Sequence, residues 1–221
     1  MKMLGLRLFG PTVMLGIGLQ ELGSVPLGCL LFYLWLAGLP LADRLLLQRH
    51  TWIEAVKYWG LRYNRSDTLA GAALGLVILA VILGAASSLW MYLFDPFNLR
   101  VLLANWGFSG SGRPLLIVVL IVLNPVLEEL YWRGYVLQEL KRKMSSLAAI
   151  GVSSLFYTVY HLLLVVPIFK PPFGWLAGLA VFGAGLVWGW MRVRSGSLLG
   201  AILCHLLADA GIMIVYGLYI A

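Results

Sequence analysis

The run PLLIVVLIVLNPVLEELYWRGY, residues 114–135, opens with ten residues of which only Pro114 is not a large aliphatic side chain, then sets Glu128, Glu129 and Arg133 close together. A helix needs roughly 20 mostly apolar residues to cross about 30 Å of hydrocarbon, and this run has that length and composition. A charge at the centre of such a helix costs about 2.5–3.5 kcal/mol on insertion scales, so three of them demand partners or a water-filled cavity. Composition decides that the run is a span. The chain has 221 residues, 62% hydrophobic and 11% charged, with a mean hydropathy of +0.93, outside the range of soluble domains. The expected fold class is all-α: a polytopic transmembrane helical bundle of about seven spans plus a short interfacial helix.

Working outward from the span placed at about 114–138, further apolar runs of spanning length fall at about 5–21, 25–43, 68–92, 146–166, 173–191 and 197–219. The first, with basic residues near its start, has the outline of a signal peptide but no small-residue cleavage site, and is read as a retained helix. Between the second and third spans, HTWIEAVKYWGLRYNR (50–65) is polar, aromatic and basic. It predicts a helix lying at the interface, with Trp52, Tyr58, Trp59 and Tyr63 at headgroup level. Seven crossings from a cytoplasmic N-terminus put twelve of the 16 Lys and Arg on the cytoplasmic side, Arg7 and Arg44 among them, three on the other, and Arg133 within a span. That is the positive-inside asymmetry.

These readings predict a multi-pass protein of the inner (plasma) membrane. One integral membrane domain is expected, with N-terminal spans and a basic interfacial segment over 1–66 and a helical core over 67–221. The net charge of +7 lies in short clusters between apolar runs rather than as a stripe on a folded face, so the lipid bilayer is an expected partner and nucleic acid is not. Cys29 and Cys204 sit in apolar runs and read as small buried hydrophobes.

Six ionisable residues remain inside the spans: Glu128, Glu129, Arg133, His161, His205 and Asp209. Glu129 and Arg133 are four apart and share a helix face, where a charge-assisted pair lowers the desolvation cost of both. Glu128 is about 100° round the helix and lacks that partner. Tyr157 and His161, and His205 and Asp209, are also four apart. At about 1.5 Å per residue from the cytoplasmic ends, Glu128 lies about 20 Å deep, His161 about 24 Å and His205 about 12 Å. Alternating helix directions bring the three into one layer. Pro125 removes a backbone donor one turn before the glutamates, and Asn124 can cap the resulting break.

A carboxylate in an apolar enclosure beside an imidazole can hold and deprotonate a water molecule, making a nucleophile for an amide. The tetrahedral intermediate then needs donors, which His205 with Asp209 is placed to supply. Such chemistry uses no metal, no other cofactor and no covalent intermediate.

EELYWR at 128–133 follows the pattern EExxxR, YTVYH at 157–161 stands where FxxxH is usual, and HLLAD at 205–209 stands where HxxxN is usual. In these three motifs the chain resembles the CAAX protease and bacteriocin-processing (CPBP, or Abi) family of glutamic intramembrane endopeptidases, related to the type II CAAX prenyl endopeptidase. The resemblance covers about residues 113–215, with a weaker likeness at WGLRYNRSD before the third span. It implies that Glu128 and His161 activate the water, that His205 and Asp209 form the oxyanion site, and that Glu129, Arg133 and Tyr157 support them. The substrate would be a membrane-associated peptide or protein, such as a leader, a bacteriocin precursor or a C-terminal sorting signal. Tyr157 for Phe keeps an aromatic ring. Asp209 for Asn matters more, because an ionised aspartate cannot donate to an oxyanion; the expectation is that Asp209 orients His205, the alternative being a protonated Asp209.

Other readings of these residues are weaker. HExxH, the zinc-protease signature, is absent. GFSG at 107–110 reads as a glycine-serine turn rather than a serine nucleophile, and Cys204 diverges by about 100° from the adjacent His205 on a helix. The alternative from a different class is a non-catalytic membrane protein of the bacteriocin self-immunity type.

Overall fold

The structure, a computed structural model, describes residues 2–108 and 110–220; Ser109, in the turn read at 107–110, lies outside them. Among the described residues the helices are α1 (Met3–Glu21), α2 (Val25–Leu47), α3 (Trp52–Trp59), α4 (Arg65–Leu93), α5 (Pro96–Asn105), α6 (Arg113–Lys141), α7 (Ser146–Ile168), α8 (Phe173–Ser195) and α9 (Leu199–Tyr219). All except α3 and α5 are long and apolar enough to cross a membrane, and no strand occurs among the described residues. The chain is a multi-pass, all-α membrane protein. Six of the seven expected spans lie within the observed helices, and the last starts at Leu199 rather than 197. The short helix α5 was not expected.

Short polar residues set the helix starts. The side chains of Ser24, Thr51, Asn64, Asp95 and Ser145 each accept from backbone N–H groups of the following turn, satisfying donors that a helix leaves free. At Thr51 the arrangement is reciprocal with Glu54; the Thr51 backbone N–H and hydroxyl hold the Glu54 carboxyl below its usual range. Gly60 ends α3 and Gly196 follows α8, both at positive φ (82° and 67°), which glycine adopts without a Cβ clash.

Two helix pairs organise the packing: α4 runs along α9, and α7 along α8. The first is close because glycines face one another. A Cβ on Gly71 would run into the Gly200 carbonyl, and one on Gly75 would approach the Cys204 backbone. Close backbone approach of this kind suits helix association in lipid, where no hydrophobic force between helices is available. The last turn of the interfacial segment then docks onto the start of α9. Leu198 N–H donates to the Gly60 carbonyl (2.9 Å), Ser197 Oγ donates to the Arg62 carbonyl (2.8 Å), and Gly200 N–H donates to Asp67 Oδ2 (3.0 Å). Asp67 thus caps the helix that carries His205 and Asp209.

Helix α3 departs from the expected headgroup belt. Trp52 and Tyr63 are exposed, but Trp59 is 1% exposed and Tyr58 turns inward. Its hydroxyl donates to Glu139 Oε1 (2.9 Å) and the Arg44 guanidinium lies 3.6 Å from its ring centroid; burial, with the Glu139 charge, raises the Tyr58 hydroxyl above its usual range. This is part of a second buried charge cluster. Glu139 pairs with Arg7 (2.8 Å) and Arg44, while Arg7 also reaches Asp43 (3.3 Å). Arg7 and Arg44, counted above as facing cytoplasmic water, are buried. Their cost is offset by pairing rather than by hydration.

Candidate active site

The site is built on α6, whose winding changes twice. Residues Val119–Leu123 and Leu130–Val136 are π-helical, and the stretch Asn124–Glu129 between them is regular α-helix. Pro125 has no N–H to donate one turn back, which suits the wide turn before it; π-turns recur where a helix must re-aim side chains. The short α stretch presents Glu128 and Glu129, 2% and 0% exposed.

The two glutamates have different surroundings. Glu129 Oε1 accepts from Arg133 Nη1 (2.8 Å) and lies 3.1 Å from His205 Nδ1, so α6 and α9 are joined through one carboxylate. Arg133 is itself held: Nη2 donates to the Gly185 carbonyl on α8 (3.2 Å), and its guanidinium lies 4.4 Å from the Tyr157 ring and 5.3 Å from that of Trp188. Glu128 Oε2 has no hydrogen-bond partner among the described residues. Its Oε2 lies 3.7 Å from His205 Nε2. As the four-residue spacing predicts, Arg133 pairs with Glu129 rather than Glu128, which meets the His205 imidazole instead.

His205 stacks on Trp188, ring centroids 4.2 Å apart and planes 18° apart. Its Nε2 faces Glu128 on one side and Asp209 Oδ1 (3.6 Å) on the other. Acceptors on both ring nitrogens suit a protonated imidazole, or one carboxyl of the group carrying a proton shared across it.

His161 occupies a different position. Its Nδ1 is 2.8 Å from the Tyr157 carbonyl; a carbonyl only accepts, so Nδ1 carries the hydrogen and Nε2 of the neutral ring keeps its lone pair. The Tyr157 ring stands between the imidazoles, 4.4 Å from His161 and 6.2 Å from His205. His205 Nε2 lies 3.7 Å from Glu128 Oε2, while His161 is half-buried beside Tyr157. No three His, Cys, Asp or Glu side chains among the described residues are spaced to hold a metal ion.

Three contributors were not read from the sequence. Asn124 does not cap a helix break; its Nδ2 donates to Asp209 Oδ2 (3.2 Å) and its Oδ1 accepts from the Tyr33 hydroxyl (3.2 Å). Tyr33 lies on α2, and Trp35 on the same helix donates to the Tyr131 hydroxyl (3.0 Å), which donates in turn to the Arg7 carbonyl (2.6 Å). Trp188 supplies the stacking face. Four apart on α6, Asn124 and Glu128 signalled a shared face; nothing in the pattern of α2 distinguished Tyr33 from an interface anchor.

Residues 110–211 match the family model of the type II CAAX prenyl endopeptidase Rce1-like proteins. No curated protein matches the chain, and no solved structure does. The matched segment, just under half of this seven-span chain, holds Asn124, both glutamates, Arg133, His161, His205 and Asp209, and over that segment the chain is similar to the Rce1-like, or CPBP, family of membrane proteases.

Proposed function

We propose that the protein is a glutamic-type intramembrane endopeptidase. It hydrolyses a peptide bond of a membrane-associated peptide with a water molecule activated by Glu128 and His161. Glu128 takes a proton as the water oxygen adds to the scissile carbonyl carbon. The carbonyl electron pair moves onto oxygen, and donors on the α9 side of the site stabilise that charge. Glu128 then returns its proton to the departing amine as the C–N bond breaks. Glu129 and Arg133, already paired, hold His205 and the α6 backbone in register. The natural substrate would be a leader, a bacteriocin precursor or a C-terminal signal of the CAAX or sorting kind, delivered to a protein whose N-terminus faces the cytoplasm.

One observation carries this reading: of two adjacent buried carboxylates, Glu129 is held through Oε1 by Arg133 and His205, whereas Glu128 faces the His205 imidazole at 3.7 Å with its Oε2 lacking a hydrogen-bond partner among the described residues. A purely structural network gains nothing from a second buried carboxylate that no arginine reaches, because burying a charge is costly unless close pairing offsets it.

The purified full-length chain in lipid nanodiscs is incubated with internally quenched peptides ending in a farnesyl-cysteine CAAX tail or in an apolar transmembrane tail. Cleavage by the wild type is expected, with kcat reduced by at least about 10³ in Glu128→Gln and by about 10²–10⁴ in His161→Ala, the range for loss of a general base. Undiminished cleavage by either variant contradicts its assigned role.

A further inference from the structure

Asp209 lies one turn from His205 on α9, and an ionised carboxyl there has no hydrogen bond to give. The side chain bonded to it is an amide. With the Asn124 oxygen receiving the Tyr33 hydroxyl and one N–H engaged by Asp209, turning the amide over would set its oxygen against the carboxylate. The orientation is therefore held from two helices, and the second amide N–H has no partner among the described residues. Asn124 and Glu128 share a face one turn apart on the regular stretch of α6. His205 Nε2 lies 3.7 Å from Glu128 and 3.6 Å from Asp209, so Asn124, Glu128, His205 and Asp209 close a ring. Burial is graded around it. Glu128 and His205 form the floor, Asn124 is half-buried, and the Asp209 side chain is 17% exposed. The amide is thus less deeply buried than the Glu128 and His205 side chains beside it.

We propose that Asn124 is the amide donor of the oxyanion site, with Asp209 and Tyr33 as the residues that position it. This rests on the hydrolytic reading above. As the water oxygen adds to the carbonyl carbon and the π pair moves onto oxygen, the second N–H of Asn124 hydrogen-bonds to that oxygen. It keeps its proton throughout, and the bond weakens when the C–N bond breaks and the carbonyl re-forms. Asp209 is then the partner of an amide on another helix, and the site needs one amide and one carboxylate in this pair irrespective of which helix carries which.

The test uses the full-length chain in nanodiscs with the same two quenched peptide probes. Asn124→Ala lowers kcat roughly a hundred- to a thousandfold, the usual effect of removing one oxyanion donor, with KM within about threefold. Asn124→Asp alone is as impaired, and the exchange Asn124→Asp with Asp209→Asn returns kcat to within about tenfold of the wild type, because the amide has moved across the pair. The proposal is overturned if Asn124→Ala cleaves at the wild-type rate, or if a folded exchange variant is no faster than Asn124→Asp; should Asn124→Asp unfold, the Asn124→Ala kcat decides. Wild-type protein that cleaves neither probe defeats the hydrolytic reading and this inference with it, whereas wild-type cleavage with an unimpaired Asn124→Ala defeats the donor alone.

Discussion

At the residue scale the two buried glutamates differ in what they touch: Glu129 pairs with Arg133 and His205, while Glu128 faces the His205 imidazole. Arg133 is 1% exposed and bonded to Glu129 and the Gly185 carbonyl. Arg133→Ala strands Glu129 without its partner, at a cost of about 3–5 kcal/mol, the range for breaking a buried pair; thermal unfolding in detergent should show a large fall in Tm. Tyr33→Phe removes one neutral hydrogen bond from Asn124, which is worth about 0.5–1.5 kcal/mol. That should appear as a kcat about three- to tenfold lower with Tm almost unchanged. A Tyr33→Phe variant that lost Tm and kept kcat would make Tyr33 a packing residue only.

At the element scale, α9 is positioned from two directions: from α4, through facing glycines and Asp67 in its first turn, and from the loop before α4, through the Gly60 and Arg62 carbonyls. Gly71→Leu puts a side chain where the Gly200 backbone now lies and should separate α4 from α9, shifting His205 and reducing both Tm and activity. Asp67→Ala removes the carboxylate that receives Gly200 N–H. It should cost about 0.5–2 kcal/mol, the range for a lost helix cap, measured as a Tm fall that Asp67→Asn partly restores. The spans themselves were legible in the sequence because lipid demands long apolar runs with internally satisfied backbones. The pairing of Glu129 with Arg133 was legible because a four-residue spacing fixes a shared face. The inward turn of α3 was not, since Tyr58 and Trp59 have the composition that suits a headgroup belt equally well. Nor was the π-helical winding of α6, which depends on what the neighbouring helices present.

At the scale of the whole molecule, the N-terminal helices are bound into the site. Tyr33 reaches Asn124, Trp35 and Arg7 hold Tyr131, and Glu139 gathers Arg7 and Arg44 at the far end of α6. A chain starting at Arg65 should therefore lack peptidase activity although it contains the whole matched segment, and size-exclusion chromatography should show it poorly dispersed. A single fully active, monodisperse core from Arg65 onward would mean that α1 and α2 are dispensable. This coupling was hidden in the sequence because counting basic residues by membrane side treats every Arg near a helix end as hydrated. Only the folded chain shows that Arg7 and Arg44 meet Asp43 and Glu139 instead.

The central claim is that Glu128 is the base while Glu129, one residue along, is a strut, and the most direct measurement compares Glu128→Gln with Glu129→Gln for both kcat and Tm. Glu128→Gln should abolish cleavage and leave Tm level or higher, since a buried carboxylate that no arginine reaches is removed, while Glu129→Gln lowers Tm by stranding Arg133. The reverse pattern, with Glu128→Gln active or with both variants losing only stability, would contradict it.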